Sequence, residues 1–254
     1  MWIRSTMVYR ASFAMMLVGT FAMSALDFVG IMIMFSHVDA LGGFSLHEVA
    51  LLYGTSATSL GLADLVLGSF DRLGARVRDG TMDTMLVRPV PALAQVAADK
   101  FALRRLGRIG QSGLVLAWAL SGVELEISPL TLLLLVITVL SGAAVFGAVF
   151  VLGGSFQFFA QDAAEVQNSF TYGGATMLEY PPTIFAKELV RGATFVVPLA
   201  FVNWLPVLRL LGRDDPLGLP GWVDFAGPAV AAVCCALAGL AWRAGLRTYR
   251  STGS

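Results

Sequence analysis

The sequence predicts an all-α membrane protein with six transmembrane helices and both termini cytoplasmic, forming one transmembrane domain over residues 1–254. The first observation is composition: 57% of residues are hydrophobic, 13% are charged, and the mean hydropathy is +0.76. That charged fraction is about half that of an ordinary soluble domain. The second is length, because a bilayer core of about 30 Å needs roughly 20 apolar residues per helical crossing. Six stretches meet that need, near 11–35, 47–69, 109–127, 129–153, 190–211 and 224–246. The third is the distribution of charge. Fifteen of the 17 basic residues fall on one side of this threading: Arg4 and Arg10, eight between Arg72 and Arg108, Lys187 and Arg191, and Arg243, Arg247 and Arg250. Only Arg209 and Arg213 fall on the other, beside Asp39, Glu48, Glu124, Glu126, Asp214, Asp215 and Asp224. Basic residues mark the cytoplasmic side, which assigns both termini and the 70–108 loop to the cytoplasm and the protein to the cell membrane as a multi-pass chain.

Each element has a local reason. Trp2, Ile3, Met7 and Tyr9 alternate with two Arg ahead of the first span, a pattern that suits either a short interfacial stretch or a frayed end. The first apolar run exceeds the core of a cleavable signal and is read as a span. Span two starts at Ser45-Leu46-His47-Glu48, a capping box in which Ser45 covers the first amides and Glu48 reaches back. The 70–108 loop that follows is not disordered, because Leu73, Val77, Met82, Met85, Leu86, Leu93, Val96, Phe101 and Leu103 recur at roughly helical spacing. Within it, Gly80 permits a sharp turn into a helix and Pro89 stops that helix, since the residue before a proline avoids the α region.

Span four is capped by Ser128 with Pro129 at the first helical position. A second connection, 154–189, carries Gln157, Gln161, Asp162, Glu165, Gln167 and Asn168 and leads into span five; it is expected on the cytoplasmic side. Small residues recur at four-residue spacing (Gly54 and Thr58, Ala57 and Gly61, Ala143 and Gly147, Ala144 and Ala148, then Ala231, Cys235 and Gly239), which lets helices approach closely in lipid. Packing within the chain is the simpler reading of these ridges, and a contact between chains is the alternative. Cys234 and Cys235, adjacent in span six, are expected to be reduced.

Most chemistry is excluded. His37 and His47 sit near Asp39 and Glu48 in the first external loop, where solvated side chains are favoured over a metal site. Asp79 and Asp83 lack the oxygen ligands at alternate positions that a calcium loop needs. Ser155 has no cytoplasmic histidine to activate it. The two lysines, Lys100 and Lys187, do not follow a glycine, so no phosphate-cradling loop exists and any nucleotide energy must arrive through another polypeptide. No catalytic residue, metal or nucleic-acid partner is therefore expected. Asp27 and Asp64 lie inside apolar runs, where a carboxylate costs roughly 2.5–3.5 kcal/mol on insertion scales. They are expected to face protein or water, at different depths, and are the residues assigned to a substrate pathway.

"RDGTMDTMLVRPVPAL" (78–93), "EYPPTIFAKELVRGATFVVPLAFVNWLPVLRLLGR" (179–213), "DDPLGLP" and the terminal "YRSTGS", in that order, resemble the permease subunits of type-2 ABC exporters, and among them are similar to the viologen-type efflux branch. The resemblance spans nearly the whole chain. It implies half of a transporter for a lipophilic or amphiphilic small molecule. Two permease chains, identical or homologous, would pair in the lipid and dock on two ATP-binding cassette subunits, which would carry the ATP and Mg. It further implies a coupling helix over about 79–90, with Gly80 and Pro89 at its ends. Met82, Met85 and Leu86 would form its apolar face towards the ATPase, with Asp83 and Arg88 as polar contacts. Such exporters carry re-entrant helices before span six; here the 212–223 loop is short, and only "GWVDFAGP" is expected to form a small re-entrant cap. The competing readings are an ion-coupled secondary transporter, which should show internal repeats, and a non-catalytic scaffold subunit.

Overall fold

The computed structural model describes residues 10–99, 105–123, 125, 128–160 and 163–250. Arg4, the expected interfacial side chains of residues 1–9, Lys100, Phe101, Leu103, Arg104, Glu124, Glu126, Gln161 and Asp162 lie outside the described residues. The described chain is helical, with one isolated bridge between Leu41 and Phe44. In chain order the helices are α1 (Arg10–Phe35), α2 (Leu46–Leu67), α3 (Leu73–Arg78), α4 (Thr81–Leu86), α5 (Ala92–Ala98), α6 (Leu106–Gly122), α7 (Pro129–Phe156), α8 (Ala164–Leu178), α9 (Lys187–Phe195), α10 (Trp204–Leu210) and α11 (Gly227–Thr248).

The sequence fixes several of these boundaries directly. Glu48 N–H donates to Ser45 Oγ at 3.4 Å and Ser45 N–H to Glu48 Oε2 at 2.7 Å, closing the capping box on α2. Ser128 Oγ accepts from Thr131 N–H at 3.1 Å, with Pro129 opening α7. α2 is buried on nearly every side: 78% of its most apolar stretch is buried, against 17% for α1 and 22% for α11. α2 is therefore the core, while α1 and α11 keep faces for lipid or a neighbouring chain. The small residues of α2 serve this packing. A Cβ on Gly54 would come 2.8 Å from Leu116 Cα, and one on Gly61 2.8 Å from Ile109 Cγ1, so the α2 ridge is the seat of α6. Gly239 on α11, by contrast, has nothing near it.

Among the described residues, four helices are long and apolar enough to cross a membrane: Ala11–Phe35, Leu46–Arg78, Pro129–Phe156 and Gly227–Thr248. The expected fifth span, 190–211, is not one rod. It is two helices, Lys187–Phe195 and Leu199–Leu210, bent by 79°. Pro198 lacks the N–H a continuing helix needs and excludes Val197 from the α region, so the chain breaks there. The break is held from within. Asn203, fully buried, donates through Nδ2 to Leu52 O and Leu178 O at 2.9 Å each, and Trp204 Nε1–H donates to Tyr180 O at 3.0 Å. Irregular backbone at membrane depth persists only where protein satisfies its polar groups in this way.

The expected single cytoplasmic connection over 154–189 is also divided. α8 runs antiparallel to α2: Gln167 reaches Asp71, Tyr172 reaches Asp64, Ala175 O accepts from Ser56, and Leu178 lies level with Leu52. Beyond it, Thr183 Oγ1–H donates to Gly42 O at 2.9 Å, within the loop joining α1 to α2. Residues 179–187 therefore sit at the opposite end from α3–α5, and α9–α10 dips into the bundle from there and returns. Arg213 closes that end, donating from Nε and Nη2 to the Glu48 carboxylate at 2.8 Å each. "GWVDFAGP" contributes the short turn Val223–Phe225 and the first two residues of α11, Gly227 and Pro228. In a chain lacking Cys234 and Cys235, a membrane-impermeant maleimide applied to intact cells is expected to label Lys187→Cys together with Asp39→Cys and to spare Val87→Cys. Labelling of Lys187→Cys only after permeabilisation would restore the straight fifth span.

Candidate functional site

The first site is the cluster of short helices between α2 and α6. Gly80 adopts a left-handed φ of 66°, which turns the chain from α3 into α4. α4 is short, Thr81–Leu86, and ends just before Arg88-Pro89 as the sequence predicts. Its face differs from expectation. Met82 is fully buried and Met85 is buried at 7% exposure, both packed into the chain's own core. The outward ridge is Leu86, Val87 and Val90, at 43%, 84% and 50% exposure. Spacing of three and four places Met82, Met85 and Leu86 along one side of the helix, but it cannot say whether that side meets the chain itself or another surface.

The cluster is stitched together. Gln95 Nε2 donates to Met85 O at 2.8 Å and to Val90 O at 2.7 Å, Ser69 Oγ–H donates to Val96 O at 2.6 Å, and Arg76 pairs with Asp99. Asp83 accepts from Tyr249 OH at 2.8 Å and Arg88 is exposed, so Asp83 is engaged within the chain whereas Arg88 faces outward with Pro89. Burial, and then the Asp83 carboxylate beside it, push the Tyr249 phenol up to about 12, so it remains a donor throughout the physiological range.

The second site lies among α1, α2, α6 and α8. A cavity of about 80 Å³ is lined by Ser24 and Asp27, by Tyr53, Ala57 and Leu60, by Arg108, and by Tyr172, Ala175, Thr176 and Glu179. Two carboxylates face one guanidinium here, and the Arg108 guanidinium also lies 5.7 Å from the centre of the Tyr172 ring. Tyr53 is fixed by its OH donating to Ser24 O and Gln111 Oε1 at 3.0 Å each. Asp27, assigned to the pathway from sequence, lines this cavity and is exposed at its mouth. Asp64, the other assigned residue, does not. Its carboxylate is 2.9 Å from Arg105 Nε and accepts from Tyr172 OH at 3.0 Å, while Arg105 Nη1 donates to Asp64 O at 2.6 Å.

Asp64 therefore belongs to a polar chain leading from the cavity wall to the short helices. Tyr172 OH also reaches Asp71 Oδ2 at 3.3 Å, Gln167 joins Asp71 to Gln157, and Gln157 Oε1 accepts from Gly74 N–H at 2.6 Å at the start of α3. Sequence reasoning missed Glu179, which counted as part of a cytoplasmic loop, and missed Arg105 as the partner of the buried Asp64 and Arg108 as a cavity-lining residue. One signal was available. Two arginines at the N-terminus of an apolar helix oppose the helix dipole, which nearby carboxylates would offset.

Of the two histidines expected to be solvated, His37 is exposed, with its Nδ1 3.0 Å from Ile33 O, whereas His47 is half-buried and packs on Trp118 at 4.4 Å between ring centres. Among the described residues no group of three or more His, Cys, Asp or Glu side chains is arranged to hold a metal ion. Residues 21–253 match the model of a family described as ABC-2 family transporter protein. No curated protein and no solved structure matches the chain.

Proposed function

The chain belongs to that ABC-2 transporter family, a multi-pass permease subunit of the cell membrane that is not itself catalytic and partners ATP-binding cassette subunits, and from this premise we propose that it forms half of the translocation pathway of an ATP-driven exporter. A separate ATPase, two copies per complex, carries the ATP and Mg, and a second permease chain, identical or homologous, completes the pathway. The observation that carries the reading is the α3–α5 cluster, an ordered platform between α2 and α6 whose Leu86–Val90 ridge is exposed while its underside is buried. A rigid body so attached moves α2 and α6 when it is moved.

Six crossings follow in this reading: α1, α2, α6, α7, α8 and α11, with α9–α10 re-entrant from the outer side and both ends of the chain cytoplasmic. The cargo is a lipophilic or amphiphilic small molecule, with viologen-type compounds among the candidates. The cavity suits a cationic or hydrogen-bond-donating group on it, because two carboxyl groups, Asp27 and Glu179, line it beside Arg108 and a carboxyl inside a membrane is tolerated where it is paired or lines a pathway. Reconstituted with its ATPase, the permease is expected to move such a compound outward only while ATP is hydrolysed. Glu179→Gln is expected to lower transport of a cationic compound about tenfold and that of a neutral one little. Transport that survives a hydrolysis-dead ATPase but collapses with an uncoupler would establish the ion-coupled reading instead.

A further inference from the structure

The last helix reaches the platform by a route that the α2 and α6 attachments do not supply. Tyr249, one residue beyond α11, donates its OH to Asp83 Oδ1 on α4 at 2.8 Å. Behind that bond stands a column of rings. Tyr249 meets Phe158 edge-on at 6.0 Å between centres, Phe158 meets Trp242 of α11 at 5.4 Å, and Trp242 meets Phe70 at 5.4 Å. Phe70, fully buried, lies in the turn that joins α2 to α3, and Phe158 follows the end of α7. Gly245 lets α11 come close here, since a Cβ on it would lie 2.5 Å from the Phe158 ring. The ring pairs hold α11 against the ends of α2 and α7, and the Tyr249 hydroxyl extends that hold to α4. Aromatic pairs in such geometry are rigid packing units, and a hydrogen bond to a carboxylate is about twice as strong as a neutral one.

We propose that Tyr249 is a positioning residue for energy coupling: through Asp83 it makes α11 move with α4, so that displacement of the platform by the ATPase drives the last membrane crossing as well as α2 and α6. The inference rests on the reading of α4 as the coupling helix. Without the link, α11 still packs on α2 and α7 through the ring column, but displacement of α4 no longer reaches it through the Tyr249 hydroxyl.

Tyr249→Phe keeps the ring column and removes only the hydroxyl. In the reconstituted permease–ATPase complex it is expected to lower the number of molecules transported per ATP about tenfold, on the scale of one hydrogen bond to a charged group, while the ATPase remains bound. Asp83→Ala should do the same, the double variant should be no worse than either, and Asp83→Asn, which keeps an acceptor oxygen, should restore most of the ratio. Hydrogen exchange on the permease alone supplies a readout that needs no ATPase: Thr81–Leu86 amides should exchange faster in Tyr249→Phe, with α2 unchanged. Faster exchange with an unaltered transport-per-ATP ratio, or additive losses in the double variant, would overturn the inference while leaving the coupling assignment intact. If no ATPase associates with the wild-type chain, the coupling assignment fails, and the exchange result still reports whether Tyr249 restrains α4.

Discussion

Val87→Glu is expected to abolish co-purification of the ATP-binding subunit while the permease still reaches the membrane and unfolds at its wild-type temperature. Val87 is 84% exposed, and with Leu86 and Val90 it forms an apolar ridge at the edge of a charged surface. Burying a valine against a partner groove contributes about 1.5–3 kcal/mol. A glutamate in its place loses that and adds an unpaired carboxylate to a desolvated contact, so affinity should fall at least a hundredfold. Met82→Ala is the contrasting variant. Met82 is fully buried in the chain's own core, so truncation should destabilise the platform by about 2–5 kcal/mol and weaken docking only as far as α4 loosens. Pull-down of the ATPase together with thermal unfolding of the permease separates the two. Full ATPase retention by Val87→Glu would remove the ridge from the interface.

The contrast between Val87 and Met82 also shows what the sequence could and could not carry. Local chemistry was readable: the Ser45–Glu48 box, the Ser128–Pro129 start, the turn at Gly80 and the stop before Pro89 all follow from two to four neighbouring residues. Apolar length was readable too, which is why α1, α2, α7 and α11 coincide with expected spans. Direction was not. Hydropathy over 190–211 is the same for a straight helix and for a bent pair, and the deciding facts are Pro198 and the bonds Asn203 makes to carbonyls far away in sequence. That missed turn carried Glu179 to the wrong end of the molecule and hid its meeting with Asp27. The Asp27 and Glu179 cavity draws on four helices, and no spacing rule links residues 152 positions apart. The burial of Met82 and Met85 was not legible for a related reason, since a short amphipathic helix carries the same pattern whether its apolar side meets the chain's own core or another surface.

Arg105→Gln is expected to lower the unfolding temperature of the detergent-solubilised permease by roughly 6–20 °C, from a loss of about 3–5 kcal/mol when one member of a buried ion pair is removed and about 2–4 °C per kcal/mol in a chain of this size. The Asp64 carboxyl is 7% exposed and the Arg105 side chain 16%, so water cannot replace what is lost. Arg105 binds twice, from Nε to the carboxylate and from Nη1 to the Asp64 carbonyl, and so ties the start of α6 to the end of α2 around the platform. Lysine has one point charge and no planar fork, so Arg105→Lys should keep the charge balance but not both bonds, with a loss between wild type and Arg105→Gln. The double variant Asp64→Asn, Arg105→Gln should be more stable than Arg105→Gln alone, because it removes the Asp64 charge together with its partner and keeps an oxygen for Tyr172 OH. Gly68→Ala tests the same contact without touching either charge: a Cβ there would overlap the Asp64 carboxylate and the Arg105 guanidinium and force them apart. If Arg105→Gln and the double variant unfold at the same temperature, the pair contributes geometry without net electrostatic stabilisation. In that case Gly68→Ala should still impair transport, because the joint between α2 and α6 would be displaced.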